Sequence, residues 1–171
     1  MLRNNIFITG PPRSGKSTLV SQVIEELSLD AEGLRTPDIR EDGKRMGFKL
    51  VDIKTGEEGI LSHVEQDEGP KVSKYRVSME DLENFTELSL ENISDGCDIV
   101  VIDEIGTMEL YSDRFKRAVI RRLEGKKPVL AVLHRHHVDK YREYGEVFEF
   151  TKSNYDIMKL EIKKKVRSYI D

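Results

Sequence analysis

The fold is decided by residues 10–18, Gly10-Pro11-Pro12-Arg13-Ser14-Gly15-Lys16-Ser17-Thr18, which directly follow the apolar run Ile6-Phe7-Ile8. This G-x-x-x-x-G-K-[ST] pattern between a strand and a helix predicts a P-loop, whose backbone N–H groups surround the phosphates of a nucleotide. The two glycines allow the tight turn. Lys16 supplies positive charge to the β- and γ-phosphates, and the Ser17 hydroxyl is a ligand for Mg²⁺.

The rest of the chain alternates between strand and helix patterns. Besides a strand at 5–9, continuous apolar runs at 99–102 and 128–133 predict parallel strands buried on both faces, and 147–150 predicts a last short strand. Apolar residues at helical spacing predict helices after the P-loop, around 115–123 and at the end of the chain. This alternation predicts an α/β fold with a mostly parallel sheet. A ligand should then bind at the carboxyl ends of the strands near Thr9, Asp103 and Leu133.

Residues 33–77 interrupt this alternation with β patterns. The segment 33–40 reads as an edge or irregular strand, because it contains Pro37. Two apolar runs between residues 46 and 64 flank the polar turn 54–59, which predicts an antiparallel β-hairpin. Ser78 and Asp81 then fit a capping box at the start of a helix. We therefore expect one domain, residues 1–171, with a β-rich insertion at 33–77.

Composition excludes several classes of protein. The 171 residues are 37% hydrophobic and 35% charged, which is typical of a globular domain and not of a disordered chain. The formal net charge of −4 gives no reason to expect nucleic-acid binding. Cys97 is the single cysteine, so no internal disulfide forms. Without a signal segment or an apolar run near ~20 residues, we expect a cytoplasmic protein without membrane contact.

Two acids, Asp103 and Glu104, follow the apolar run at 99–102, as in a Walker B motif. In P-loop proteins the aspartate at this position helps hold Mg²⁺, so Ser17 and Asp103 are the predicted metal ligands. A glutamate beside that ligand is placed to orient and deprotonate a water molecule for attack on the γ-phosphate. The alternative is a pair of solvated surface charges.

Three functions are compatible with these motifs. A hydrolase needs a base for water, and the Asp103-Glu104 doublet favours it. A nucleotide or small-molecule kinase uses the same loop but usually closes an arginine-rich lid, and no such segment stands out between residues 105 and 150. A third alternative is a switch whose hydrolysis is stimulated by RNA or a protein partner.

Four segments together resemble a small nucleoside-triphosphatase family found in thermophilic prokaryotes and in animals, where it includes the cancer-related nucleoside triphosphatase. They are the P-loop, residues 33–40 (Gly-Leu-Arg-Thr-Pro-Asp-Ile-Arg), Gly47-Phe48 and residues 102–110 (Ile-Asp-Glu-Ile-Gly-Thr-Met-Glu-Leu). The resemblance implies a three-layer, RecA-like P-loop core with helices on both faces of the sheet. It also implies slow, Mg²⁺-dependent hydrolysis of ATP, GTP, CTP and UTP with little preference for the base.

The resemblance assigns further site residues. Nucleotide contacts fall on the P-loop residues Gly10 to Thr18 and on Ile99, Val100, Val101, Ile102, Asp103, Glu104, Ile105 and Gly106. The family's threonine–acid–arginine segment falls on Thr36–Arg40, with Asp38 where a glutamate is expected. We expect Arg40 to neutralise charge on the γ-phosphate, so that Lys16, Glu104 and Arg40 form the predicted catalytic set. The alternative for Arg40 is a surface salt bridge.

Three other features have two interpretations each. The run His134-Arg135-His136-His137 follows a buried strand, so it either ligates zinc or lets His134 or Arg135 contact the γ-phosphate. The run Lys163-Lys164-Lys165 is either the solvated face of the terminal helix, which is the commoner role of such a run, or a nucleic-acid contact. Tyr155, which replaces a family arginine, is placed to stack on a base, whereas the preceding Asn154 fits a helix cap.

Overall fold

The computed structural model describes residues 3–171, in which ten strands form one mixed sheet. Its parallel part has the spatial order β10-β1-β9-β8-β2. These strands are β1 (Asn5–Thr9), β2 (Ala31–Arg35), β8 (Ile99–Ile105), β9 (Val129–Leu133) and β10 (Glu146–Glu149). The parallel α/β core predicted from the apolar runs is therefore present, with strand ends within a few residues of the expected ones.

Helices cover both faces of the sheet. They are α1 (Lys16–Glu26), α2 (Met79–Thr86), α3 (Asp113–Glu124), α4 (Val138–Tyr141) and α5 (Tyr155–Ile170), and a π-helical turn, Glu87–Glu91, extends α2. Alternate residues of β1 enter opposite cores. Phe7 packs in the cluster that contains α3, whereas Ile6 and Ile8 pack with α1 and α5. This three-layer arrangement buries both faces of the central strands, which explains their continuous apolar sequences.

The inserted strands continue the same sheet beyond β2. They are β3 (Asp38–Glu41), β4 (Lys44–Asp52), β5 (Glu58–His63), β6 (Lys71–Val72) and β7 (Tyr75–Val77). β4 pairs antiparallel with β2, β3 and β5, and the predicted hairpin is β4–β5. At Ser73, the turn between β6 and β7 has a φ of +56°, a left-handed conformation in which glycine is favoured.

The segment 33–40, expected to be an edge or irregular strand, is divided into the end of β2 and most of β3, and within the described residues β3 pairs only with β4. Pro37 lies in the gap between β2 and β3, so it removes no ladder hydrogen bond, and β2 is an interior strand between β8 and β4. At Gly33 (φ +141°) a Cβ would lie 1.9 Å from the carbonyl oxygen of Val101 on β8. The close approach of these two backbones depends on that glycine, because any other residue would push β2 away from β8.

Local capping differs partly from expectation. Ser78 caps α2 by accepting the N–H of Asp81, but the Asp81 carboxylate accepts the N–H of Ile60 on β5 instead of closing the box. Cys97, just before β8, is buried. Among residues 3–171, no helix is long and apolar enough to cross a membrane.

Candidate active site

The P-loop connects β1 to α1, and its backbone depends on two glycines. Gly10 has a φ of +147°, and a Cβ there would lie 2.5 Å from the carbonyl oxygen of Phe150. Gly15 (φ +96°) is the N-cap of α1, and no side chain caps that helix. The N–H groups of the first turn are therefore left for an anion, which the positive end of the helix dipole also favours.

Lys16 folds back over this loop. Its Nζ donates to the carbonyl oxygens of Gly10 (2.9 Å) and Pro11 (2.7 Å), so the ammonium group lies at the centre of the loop. Burial lowers the pKa of Lys16, and the charges of Glu104 and Asp103 oppose that effect. The lysine is thus placed between the predicted phosphate position and the two acids of β8.

A cleft of about 580 Å³ opens at the carboxyl ends of β1, β8 and β9, where the sequence predicted that a ligand binds. Both the P-loop and the start of the insertion contribute to its walls. Its lining consists of Gly10, Pro12, Arg13, Ser14, Gly15, Lys16, Ser17, Thr18, Thr36, Pro37, Asp38, Arg45, Phe48, Asp103, Glu104, Val132, His134 and Arg135.

Ser17 and Asp103 meet within this cleft. The Ser17 hydroxyl donates to Oδ1 of Asp103 at 3.1 Å, although the two residues are 86 positions apart. Burial raises the pKa of Asp103, and the Ser17 hydrogen bond and the charges of Arg35 and Lys16 oppose that rise. The hydroxyl and the carboxylate lie side by side, and both are hard oxygen ligands of the kind that Mg²⁺ prefers. The donor set therefore fits the predicted metal.

Glu104 lines the cleft next to this pair. Burial and the negative charge of Asp103 raise its pKa to about 7, whereas Lys16 lowers it. A carboxyl group with a raised pKa beside a phosphate site is suited to accept a proton.

A sequence profile for a family described as NTPase matches residues 5–163. The chain belongs to this NTPase family. It is 46% identical over 164 residues to the nucleoside-triphosphatase THEP1 of Methanosarcina acetivorans, with 91% of each chain covered. Its fold matches that of THEP1 from Aquifex aeolicus (TM-score 0.80, 28% identity, 92% of this chain and 96% of that one). It also matches a human cancer-related nucleoside triphosphatase (TM-score 0.79, 31% identity, 96% and 98% covered).

These matches confirm the family, the enzyme class and the α/β P-loop fold that the sequence predicted. The matched region contains the P-loop and both acids of β8. The individual residue roles remain predictions, and the geometry separates them into two groups.

Several predicted contact residues of the family site lie in the core instead of the cleft. Ile99, Val100, Val101, Ile102 and Ile105 are at most 1% exposed and pack against the helices, so they support β8 without lining the cleft. Gly106 also lies outside the lining, but a Cβ there would meet the carboxylates of Glu109 (2.8 Å) and Glu104 (2.9 Å). Only Asp103 and Glu104 of this stretch line the cleft.

Arg40 corrects a second expectation. Its guanidinium pairs with Asp38 at 3.2 Å and donates to the carbonyl oxygen of Gly43, and its side chain is 47% exposed. Asp38 lines the cleft but Arg40 does not, so the structure agrees with the alternative interpretation of a surface salt bridge.

The histidine-rich run 134–137 lies only partly in the cleft lining. His134 and Arg135 line the cleft, whereas His137 pairs with Thr107. No group of three or more His, Cys, Asp or Glu side chains within residues 3–171 is arranged to hold a metal, which gives the zinc interpretation no support. The Tyr155 ring packs edge-on against Phe150 and its hydroxyl donates to Gln22, so the ring lies outside the cleft lining, and its stacking on a base stays a prediction.

The terminal helix pairs its lysines with neighbouring acids. Lys163 bonds Glu26 at 3.1 Å, and Lys165 bonds Glu146 at 3.0 Å. These ion pairs agree with a solvated helix face. Asn154 is the N-cap residue of α5 by position, but its side chain accepts the N–H of Thr151 instead of capping the helix.

Sequence reasoning missed a buried network behind Glu104. Glu109, 3% exposed, accepts the N–H of Gly106 (3.0 Å) and the hydroxyl of Thr36 (3.2 Å). That same hydroxyl accepts the backbone N–H of Glu104 at 3.2 Å. Burial and the charge of Glu104 raise the pKa of Glu109 to about 8. The signal was present in the string Gly106-Thr107-Met108-Glu109, but its partner Thr36 is 73 residues away.

We predict that Glu109→Leu lowers the kcat for phosphate release by about 10-fold or more, because Thr36 and Gly106 lose the group that positions the Glu104 backbone. Glu109→Gln should keep kcat within about threefold, since the amide oxygen still accepts the N–H of Gly106 and the amide NH2 can donate to the Thr36 hydroxyl, which then donates to the carbonyl oxygen of Asp103. ADP affinity and thermal unfolding of both variants provide the controls. Full activity in Glu109→Leu would contradict this role.

Proposed function

We propose that this protein hydrolyses nucleoside triphosphates, including ATP, GTP, CTP and UTP, to the diphosphate and inorganic phosphate with Mg²⁺ as cofactor. The observation that carries the proposal is the position of Glu104, a partly buried carboxyl group beside the Ser17–Asp103 pair and in the lining of the P-loop cleft. Membership of the NTPase family and the names of its relatives support the same reaction.

The binding half of the reaction uses the loop amides and Lys16. The open first turn of α1 and the Lys16 ammonium group hold the phosphate oxygens. Ser17 and Asp103 would hold Mg²⁺, which supplies charge neutralisation at the β- and γ-phosphates. Because phosphoryl transfer demands positioning and electrostatic stabilisation more than covalent chemistry, this set meets the main requirements of the reaction.

The hydrolytic half uses Glu104. Its carboxylate orients a water molecule in line with the γ-phosphorus and accepts the proton as the new oxygen–phosphorus bond forms. The bond between the γ-phosphorus and the bridging oxygen breaks at the same time, and its electron pair stays on the diphosphate. The Thr36 hydroxyl fixes the Glu104 backbone during this step, since it accepts that residue's N–H.

Weak base preference follows from the residues available. Among the described residues that line the cleft there is no asparagine or glutamine, the amide side chains that form two parallel hydrogen bonds with the edge of a base. A site built for such reading rejects the wrong substrate by about 10⁴-fold or more. We therefore expect the protein to hold its substrates chiefly by the triphosphate.

Phosphate release from the four nucleoside triphosphates, each with Mg²⁺ or with EDTA, tests the proposal. We expect kcat/KM values within about 10-fold of one another, because no side chain selects the base. Chelation should reduce release to background, since the charge at the γ-phosphate is then not neutralised. Metal-independent release, or faster transfer of the γ-phosphate to an added acceptor than to water, would contradict the proposal.

A second prediction concerns the base. Glu104→Gln should reduce kcat by about 10²-fold or more with ATP affinity nearly unchanged, because the amide keeps the shape and loses the proton acceptor. The matched control is Glu161→Gln on the exposed face of α5, which should behave as the unmodified protein. Unchanged kcat in Glu104→Gln would remove this residue from the mechanism.

A further inference from the structure

The roles assigned so far include no arginine that neutralises the negative charge on the γ-phosphoryl group during hydrolysis. Negative charge spreads over the γ-phosphoryl oxygens as the bond to the diphosphate breaks, and an arginine often neutralises it. The sequence assigned Arg40 to this role, but Arg40 lies outside the cleft lining in an ion pair with Asp38.

The strand opposite Arg40 supplies a better-placed arginine. Arg40 on β3 and Arg45 on β4 are register partners at an irregularity in the β3–β4 ladder. Arg45 belongs to the insertion and lines the cleft together with the P-loop residues. The hairpin therefore brings two arginines together and directs only one of them to the cleft.

Arg45 is oriented by neutral groups, although the Tyr75 hydrogen bond and the charge of Asp38 both raise its pKa. Its Nε donates to the Tyr75 hydroxyl at 3.1 Å, and its guanidinium carbon lies 5.1 Å from the Phe48 ring centroid and 5.8 Å from that of Tyr75. Within residues 3–171 Arg45 has no ion pair, whereas Arg40 has one. Aromatic contacts and one hydrogen bond thus orient the side chain, while its terminal N–H groups stay available to an anion.

The insertion is anchored to the strand that carries the acids. The Thr36 N–H donates to the carbonyl oxygen of Asp103 at 2.6 Å, and the Lys49 N–H donates to the carbonyl oxygen of Pro37 at 2.9 Å. These bonds link β4, which carries Arg45, to the end of β8. Arg45 therefore has a fixed position relative to Asp103 and Glu104.

Two other arginines line the cleft, but from the side of Lys16. Arg13 is part of the P-loop, and Arg135 follows β9 and lowers the pKa of Lys16 through its charge. Only Arg45 approaches from the insertion. A γ-phosphoryl group in the cleft would therefore have Lys16 of the P-loop and Arg45 of the insertion among the cationic groups around it.

We propose that Arg45 contacts the γ-phosphoryl oxygens and neutralises the charge that develops on them during hydrolysis. This inference rests on the proposed function, and it makes the inserted β-sheet part of the active site. A planar guanidinium group suits the role because it donates two parallel hydrogen bonds to neighbouring oxygens.

The test compares the two register partners. Arg45→Gln should lower kcat for ATP by about 10³-fold, whereas KM and ADP affinity change by about threefold or less. Arg40→Gln, the matched control, should keep kcat within about twofold. Arg45→Lys should recover part of the loss, because an ammonium group keeps the charge without the two-pronged geometry. Equal kcat values for Arg45→Gln and Arg40→Gln would overturn the proposal.

A double-mutant cycle of Arg45→Gln and Tyr75→Phe separates a structural effect of the Arg45 substitution from the loss of its contact with the γ-phosphoryl group. Tyr75→Phe removes the hydroxyl that accepts from Nε but keeps the ring, and it should lower kcat by about 3- to 10-fold only when Arg45 is present. The same loss in the Arg45→Gln background would show that Tyr75 acts independently of the arginine, which would contradict the proposed positioning. Thermal unfolding and ADP affinity report whether each variant is folded.

Binding of ADP with aluminium fluoride, a mimic of the transferring phosphoryl group, separates this inference from the proposed function. The unmodified protein and Arg40→Gln should bind ADP–aluminium fluoride more tightly than ADP, and Arg45→Gln should lose that preference. If this pattern holds but no phosphate is released from ATP, the hydrolase proposal fails and the Arg45 contact stands. If phosphate is released and the preference survives in Arg45→Gln, only the Arg45 inference fails.

Discussion

The site depends on one constraint, the removal from water of two adjacent carboxylates at the end of β8, of which Asp103 is buried and Glu104 is partly buried. A buried charge is costly unless it is paired or hydrogen-bonded, and burial raises the pKa values of both Asp103 and Glu104. The surrounding residues offset this cost. Ser17 donates to Asp103, Lys16 lies close enough to stabilise both charges, and Thr36 accepts the Glu104 N–H. The Lys16 ammonium group and the Ser17 hydroxyl, to which the proposed function assigns nucleotide binding, are thus the same groups that offset the cost of removing the two acids from water.

The same constraint explains why the insertion begins where it does. β2 pairs with β8 along its whole length and ends at Arg35, opposite Asp103. The chain then passes Thr36 and Pro37 directly over the two acids before it enters β3 and β4. Glu109 closes the network from the other direction through Thr36 and Gly106. Elements from three separate parts of the chain therefore meet at one strand end, and the inserted sheet is part of the site's geometry.

The sequence predicted what a local pattern encodes. The P-loop spacing identified Lys16 and Ser17, and the apolar run before two acids identified Asp103 and Glu104. The apolar run Ile99 to Ile102 also predicted a strand buried on both faces, and the side chains of these residues, to which the family resemblance assigned nucleotide contacts, fill the core. Arg45 and Glu109 were missed because their roles depend on a cross-strand register and on a contact across 73 residues. Pro37 was read as lying within a strand, but β2 ends at Arg35 and β3 begins at Asp38, so the proline lies between the two strands.

The central claim is that a water molecule attacks the γ-phosphorus in the cleft beside Glu104. It is tested most directly by single-turnover hydrolysis of ATP in ¹⁸O-labelled water, with mass spectrometry of both products. The account predicts one solvent oxygen in each phosphate and none in ADP, because the new bond forms at the γ-phosphorus. Label in ADP would place the attack at the β-phosphorus. Phosphate without solvent oxygen would show that water is not the attacking group, and either result would contradict the account.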